Sequence, residues 1–364
     1  MWAGDPGFLP DALAAGFASQ ELSGKVAVFA IAATAVGIAA LMASILVLHV
    51  HASAKGRRVE RLRSEWVALL LDPDAHPSRL VVEARDLEAF MVVWGQILQS
   101  VRGDYRDSLV AVLRRSGVPE LARRRLKRGS LRERLLCASV LGSLPDEVSR
   151  PTLADLALGK EPFLSLAAAT AMVHIHPRES VEMLLPHMVA RRDWPLSRVH
   201  AALSEGDPAM VSNEIVGYVM ASMPDVPLRA IRLMALVRQE SRSMLIRTLM
   251  LFQTDMPWES EAALLDEIQD PLLGDLVRDR LSHREWRVVV AALKAIARIG
   301  DAEDVMLVHP LLDHPQWWVR YRAAKAIASL PGIKPIEIEL MASRHADPYA
   351  RDMLRFALSE QSLS

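Results

Sequence analysis

His283–Gly300 reads HREWRVVVAALKAIARIG, and His314–Pro331 reads HPQWWVRYRAAKAIASLP. Laid over each other at a shift of 31 residues, the two stretches share His, Trp, Val and the run Lys-Ala-Ile-Ala. A further shift of 31 drops Ala350, Arg351, Leu354, Ala357 and Leu358 onto Val319, Arg320, Ala323, Ala326 and Ile327. Working backwards, LLCASVLGSLP from Leu135 sits six periods before YRAAKAIASLP, and LSLAAATAMVHI from Leu164 sits five periods before Val319. Weaker copies occur around Trp194–Leu203, Val226–Leu236 and Pro257–Leu265, which makes about eight units between Ser130 and Leu358. Self-similarity at a fixed period of this length marks a repeat architecture.

Each unit is expected to be a pair of helices. The turns Asp313-His-Pro and Ala346-Asp347-Pro348 place proline at or near a first helical position, where its missing N–H costs nothing. The helix that follows carries Val319, Ala323, Ala326, Ile327 and Leu330, an i, i+4, i+7, i+8, i+11 apolar stripe. One pair cannot bury such a stripe alone, so the units must stack, and the small alanines permit close approach. The fold class that follows is all-α, an α-solenoid over 130–364.

The pattern Leu312-Asp313…Val319-Arg320…Ala323-Ala324…Ala326-Ile327…Leu330 resembles the HEAT repeat, in the short variety similar to phycobilisome-lyase-type HEAT-like repeats. The resemblance implies a binding surface lined by the second helix of each pair. It says almost nothing of activity.

Outward from the repeats, residues 51–129 fit the period poorly and read as basic juxtamembrane and capping helices: Val59–Leu71, Leu87–Val101 and Tyr105–Leu113. Before them, residues 26–50 (VAVFAIAATAVGIAALMASILVLHV) carry no formal charge, long enough to span a bilayer with some tilt. Asp5, Asp11 and Glu21 precede this stretch against a lone Lys25, and Lys55, Arg57, Arg58, Arg61 and Arg63 follow it. The positive-inside rule therefore predicts a single-pass bacterial inner-membrane protein, with tail 1–25 outside and the solenoid cytoplasmic. A cleaved signal peptide is the rival, because Ala52 and Ala54 mimic a cleavage site; the length of the apolar run and its acidic leading flank argue against it.

Two sets of residues are candidate binding groups. Lys55, Arg57, Arg58, Arg61 and Arg63 are placed to meet anionic lipid headgroups; the plainer reading is a topology signal. Arg232, Lys294 and Lys325 share one repeat position and Arg320 and Arg351 another, so stacked units would align them as a groove for an acidic partner segment. The plainer reading of the arginines is a bond to the neighbouring turn. Trp194, Trp258, Trp286 and Trp317 recur near the opening of the second helix; with Trp318, they read either as packing under the turn or as interface anchors.

Catalytic and metal-ligating patterns are missing from the sequence. There is no His-Glu dipeptide, no phosphate loop, no G-x-S-x-G and no H-E-x-x-H. The lone cysteine, Cys137, lies among Leu135, Leu136, Ala138 and Val140 and reads as a buried hydrophobe. A formal net charge of -1 gives no global pull toward nucleic acid. The expectation is a non-catalytic membrane-anchored scaffold that binds a protein partner, by analogy within an envelope glycosyltransferase, polysaccharide or secretion complex. No cofactor, metal, nucleic acid or small-molecule substrate is expected. Lyase- or chaperone-like handling of a prosthetic group is the alternative that the family resemblance implies, and a HEAT-like DNA glycosylase is a third.

Overall fold

The apolar stripe of the opening stretch is where the core forms: Val319, Ala323, Ala326, Ile327 and Leu330 are all buried on, or one residue past, the helix Trp317–Ser329. The computed structural model describes residue 42 and residues 58–70, 80, 82–101, 103–144, 147–252 and 255–361. Regular structure among the described residues is helical throughout. The chain divides into two units, Met1–Ser116 and Gly117–Ser364.

In the first unit, α1 (58–70), α2 (Leu87–Ser100) and α3 (Asp104–Arg115) match the three expected helices closely. Trp66 meets Phe90 edge-on at 5.3 Å, and Trp94 stacks on Phe90 at 6.5 Å, all three rings being buried. Of the predicted span 26–50 only Met42 is described, helical and exposed, so that prediction lies outside the described residues. Among the described residues no helix is long and apolar enough to cross a membrane.

The second unit is a run of eight helix pairs among the described residues. They are α4 (Val118–Arg128) with α5 (Leu131–Gly142), α6 (Arg150–Ala157) with α7 (Pro162–Ile175), α8 (Pro177–Ala190) with α9 (Leu196–Ser204), and α10 (Pro208–Ala221) with α11 (Leu228–Leu233). Then come α12 (Gln239–Phe252) with α13 (Trp258–Asp266), α14 (Gly274–Asp279) with α15 (Trp286–Ile299), α16 (Val305–Val308) with α17 (Trp317–Ser329), and α18 (Pro335–Arg344) with α19 (Pro348–Gln361). Second helices pack on second helices: α5 on α7, α7 on α9, α11 on α13, and each of α13, α15 and α17 on the next. This is the expected α-solenoid stack. It begins with α4, a helix the sequence period does not reach.

The core keeps a strict register. In steps of 31, Leu141, Met172, Leu203, Met234, Leu265, Ile296 and Ile327 are all buried. Helix starts do not keep it. Counted in the same steps from Leu131, second helices would open at 193, 224 and 255; they open instead at Leu196, Leu228 and Trp258. The cause is proline. Pro195, Pro227 and Pro257 occupy the N-cap positions of α9, α11 and α13 with extended backbone angles, and the residue before a proline is driven out of the helical region. These three helices are consequently short, which is why the middle repeats look degenerate.

A second row in the same register is Cys137, Ala168, Val199, Ala230, Glu261, Ala292, Ala323 and Leu354, every member buried. Seven are apolar and one is a carboxylate. Glu261 is held by Arg280, whose Nε donates to Oε1 at 2.8 Å, and by His283, whose Nε2 lies 3.4 Å from Oε2. Burial among apolar neighbours pushes the Cys137 thiol up to about 12, as expected of a structural cysteine.

Small residues and arginines join one unit to the next. A Cβ on Gly142 would lie 2.6 Å from both Cα and Cβ of Ala171, so α5 and α7 touch at backbone distance. Helix ends leave carbonyls without intrahelical partners, and arginines of adjoining segments supply donors. Between pairs, Arg229 Nη2 donates to both Met188 O and Trp194 O at 3.0 Å and Arg298 Nη2 to Leu265 O at 2.8 Å, and within the first pair Arg134 Nε donates to Leu126 O at 3.0 Å. Arg278 binds three carboxylates, Asp304 at 2.6 Å, Asp301 at 3.0 Å and Asp275 at 3.1 Å. Burial alone would raise Asp304, but hydrogen bonds from Arg278 and the Asp301 N–H outweigh it and hold the carboxyl below its ordinary range.

Candidate functional site

Every second helix opens with a large apolar side chain: Leu131, Phe163, Leu196, Leu228, Trp258, Trp286, the pair Trp317 and Trp318, and Tyr349. Side chains at the first helical positions project back over the preceding turn rather than into the stack, so bulk placed there meets solvent. Phe163 is 71% exposed, Tyr349 66% and Trp318 50%, while Leu196, Leu228 and Trp286 are half-buried. The result is an apolar row along one edge of the repeats, densest in the last four units.

Arginines lie across these rings. The Arg287 guanidinium carbon sits 4.5 Å from the centroid of Trp286 and 4.9 Å from that of Trp258, linking the fifth and sixth units. Arg320 reaches over Tyr349 at 5.7 Å, linking the seventh and eighth. Such contacts contribute about 0.5–1 kcal/mol at exposed sites. Arg287 also donates to Glu285 at 2.8 Å, which with the Arg287 N–H holds that carboxyl below its ordinary range.

At the end of the row the rings gather into a cluster. Trp317 and Trp318 meet edge-on at 4.7 Å, Tyr321 stacks on Trp317 at 5.3 Å with an interplanar angle of 4°, and Phe356 of α19 approaches Tyr321 at 6.2 Å. Tyr321 and Phe356 were not among the residues expected at the surface. Their signal was available: neither falls on the apolar stripe of its own helix, and a large aromatic off the stripe has no core to enter.

The repeat-aligned cations are placed differently from the expectation. Lys294 pairs with Asp266 at 3.3 Å and Lys325 with Glu360 at 3.1 Å, so these two are not free groove cations. Arg232 is exposed on α11, its carbonyl 3.1 Å from His200 Nε2. Arg320 donates to His314 O at 3.0 Å, the turn-bracing role that was the plainer reading of its row, and Arg351 is half-buried on α19. The tryptophans divide: Trp194 is fully buried with Nε1 donating to Ser165 Oγ at 3.0 Å, whereas Trp258, Trp317 and Trp318 are surface residues.

Of the basic residues expected at lipid, Lys55 and Arg57 lie outside the described residues. Arg58 is tied to Asp86 at 2.8 Å and Glu83 at 3.3 Å, which raise its pKa further, and Arg63 donates to Gln96 at 3.3 Å. Arg61 is exposed.

Two clefts open near the row. One of about 480 Å³ lies between α7 and α9, lined by Phe163, Leu166, Ala167, Ala201 and Ala202, where the late start of α9 leaves its neighbour uncovered. The other, about 1180 Å³, is bordered by Met250, Trp258, Glu261, Arg280 and His283. Among the described residues no group of three or more His, Cys, Asp or Glu side chains is arranged to hold a metal ion.

Residues 274–359 match the family model for HEAT repeats. None of the curated proteins matches the chain. Among solved structures, a crystal structure of an engineered protein from a structural-genomics programme aligns over 83% of this chain and 88% of its own, at 15% identity and a TM-score of 0.36. A likeness of that degree carries no argument.

Proposed function

We propose that this chain is a non-catalytic scaffold, anchored in a bacterial inner membrane through residues 26–50, whose cytoplasmic repeats bind a protein partner. One observation carries the binding half of the proposal: the surface aromatic residues that open the second helices of the last four units, Trp258, Trp286, Trp317 with Trp318, and Tyr349, with arginine bridging the fifth unit to the sixth and the seventh to the eighth. Tryptophan, tyrosine and arginine are the residues over-represented among interface hot spots, and contiguous exposed aromatic surface on a soluble unit marks a binding site. HEAT repeats generally serve protein–protein interaction, in keeping with this reading. The anchor rests on the uncharged stretch 26–50 and its charge flanks.

Tethering confines both scaffold and partner to the membrane plane, so moderate affinity at the aromatic row suffices. The test is co-purification of the full chain in mild detergent beside a variant carrying Trp258→Ala, Trp286→Ala and Trp318→Ala. The expected result is a partner recovered with the native chain and lost from the variant. Recovery of the native chain alone would overturn the proposal.

A further inference from the structure

We infer that the patch formed by Trp317, Trp318, Tyr321, Arg322 and Phe356 docks an acidic protein segment bearing an apolar anchor residue. The inference rests on the scaffold reading and gives it an address and a partner chemistry. The rings are half-exposed, Trp318 at 50%, Phe356 at 49% and Trp317 at 43%. They are held by one another, and Tyr321 is braced further by Glu360, 3.5 Å from its hydroxyl. Rings already fixed in place lose little entropy when a partner side chain packs on them.

Charge selects the partner. Arg322 lies over the Tyr321 ring at 5.4 Å, faces no carboxylate at ion-pair distance among the described residues, and has a buried Nε without a hydrogen-bond partner. Lys325, by contrast, is neutralised by Glu360. A planar guanidinium next to aromatic surface, lacking its acid, suits one carboxylate flanked by an apolar side chain. A nucleic acid strand asks instead for a track of cations along its phosphates. The candidate track, Lys294 and Lys325, is closed by Asp266 and Glu360. A protein segment is therefore the occupant favoured.

The test is a display selection of random peptides on the full chain held in detergent micelles, repeated with Arg322→Glu and Trp318→Ala. Thermal melting of both variants alongside the native chain shows that they fold. The expected outcome is enrichment of peptides with Asp or Glu beside Trp, Phe or Leu. The best of these should bind Arg322→Glu at least about tenfold more weakly, and its Lys-substituted counterpart should prefer that variant. Enrichment of basic or uncharged peptides, no enrichment at all, or displacement of the peptide by a single-stranded RNA oligomer would overturn the inference. Acidic peptides indifferent to both variants would also overturn it while leaving the scaffold reading intact. That reading fails separately, when the native chain co-purifies with nothing.

Discussion

Replacing Glu261 tests whether the repeat register governs energetics as well as geometry. Its position is held elsewhere by Cys137, Ala168, Val199, Ala230, Ala292, Ala323 and Leu354, so the fold at this point asks for a small or aliphatic side chain. Glu261→Ala supplies one but strands Arg280. Removing one partner of a buried pair typically costs about 3–5 kcal/mol because the other charge is left uncompensated. Here the loss is smaller. The Arg280 side chain keeps 17% exposure, retains Asp279 at 2.6 Å, and can still reach Met250 O at 3.4 Å. We expect roughly 2 kcal/mol, and for Glu261→Ala with Arg280→Met a net change within about 1 kcal/mol of the native chain. Native-state hydrogen exchange over α13 and α15 reads this locally without assuming that the whole chain unfolds as one. A loss of about 2 kcal/mol corresponds to roughly thirtyfold faster exchange there. Unchanged protection in Glu261→Ala, or a double variant as weak as the sum of the two singles, would refute the reasoning.

Other outcomes follow from particular contacts. Gly142→Val forces α5 away from Ala171 and should destabilise by about 1–3 kcal/mol, read as a lowered melting midpoint, with Gly142→Ala intermediate. Cys137, with its thiol pushed up to about 12, should resist iodoacetamide at pH 8 until denaturant is added; prompt alkylation of the native chain would contradict its burial. Burial, with Arg320 adding to it, lowers the His314 pKa. The stabilisation from the neutral ring is therefore complete above the unfolded value near 6.5 and is lost as pH falls from there through the depressed folded value. Protection of α17 should drop between pH 7 and pH 5, and His314→Asn should flatten the drop. Alkaline carbonate should leave the native chain in the membrane fraction and release a chain lacking 26–50.

The last units were the most legible in sequence because two conditions coincide there. Trp286 and Trp317 open helices 31 residues apart, and the stripes behind them are made of alanines and aliphatics with one shape. In the middle, Pro195, Pro227 and Pro257 delay the helix starts while the buried positions stay in step, so the eye loses the frame although the core does not. Lys294 and Lys325 show the complementary limit. Their shared position was readable, but Asp266 and Glu360 come from different directions in the stack, one from the preceding unit and one from the following. Nothing local to either lysine announces its acid. The aromatic patch was half-readable: Trp317 and Trp318 stood out, whereas joining them to Phe356 required knowing that α19 lies against α17.

The constancy of the buried rows, set against the wandering helix starts, has a consequence for how such a chain can change length. The stack behaves like a screw thread whose pitch is 31 residues. Excising 286–316 sets Trp317 directly after Glu285 and carries Ile327 into the place vacated by Ile296, so each surviving turn of the thread still meets a matching one. A cut shorter by two residues would turn the stripe of the Trp317 helix by about 200° from where Ile296 stood and present its charged side chains to the core. Whole units can thus be gained or lost while fractions of one cannot, and the reach of the aromatic edge is adjustable only in increments of a full unit.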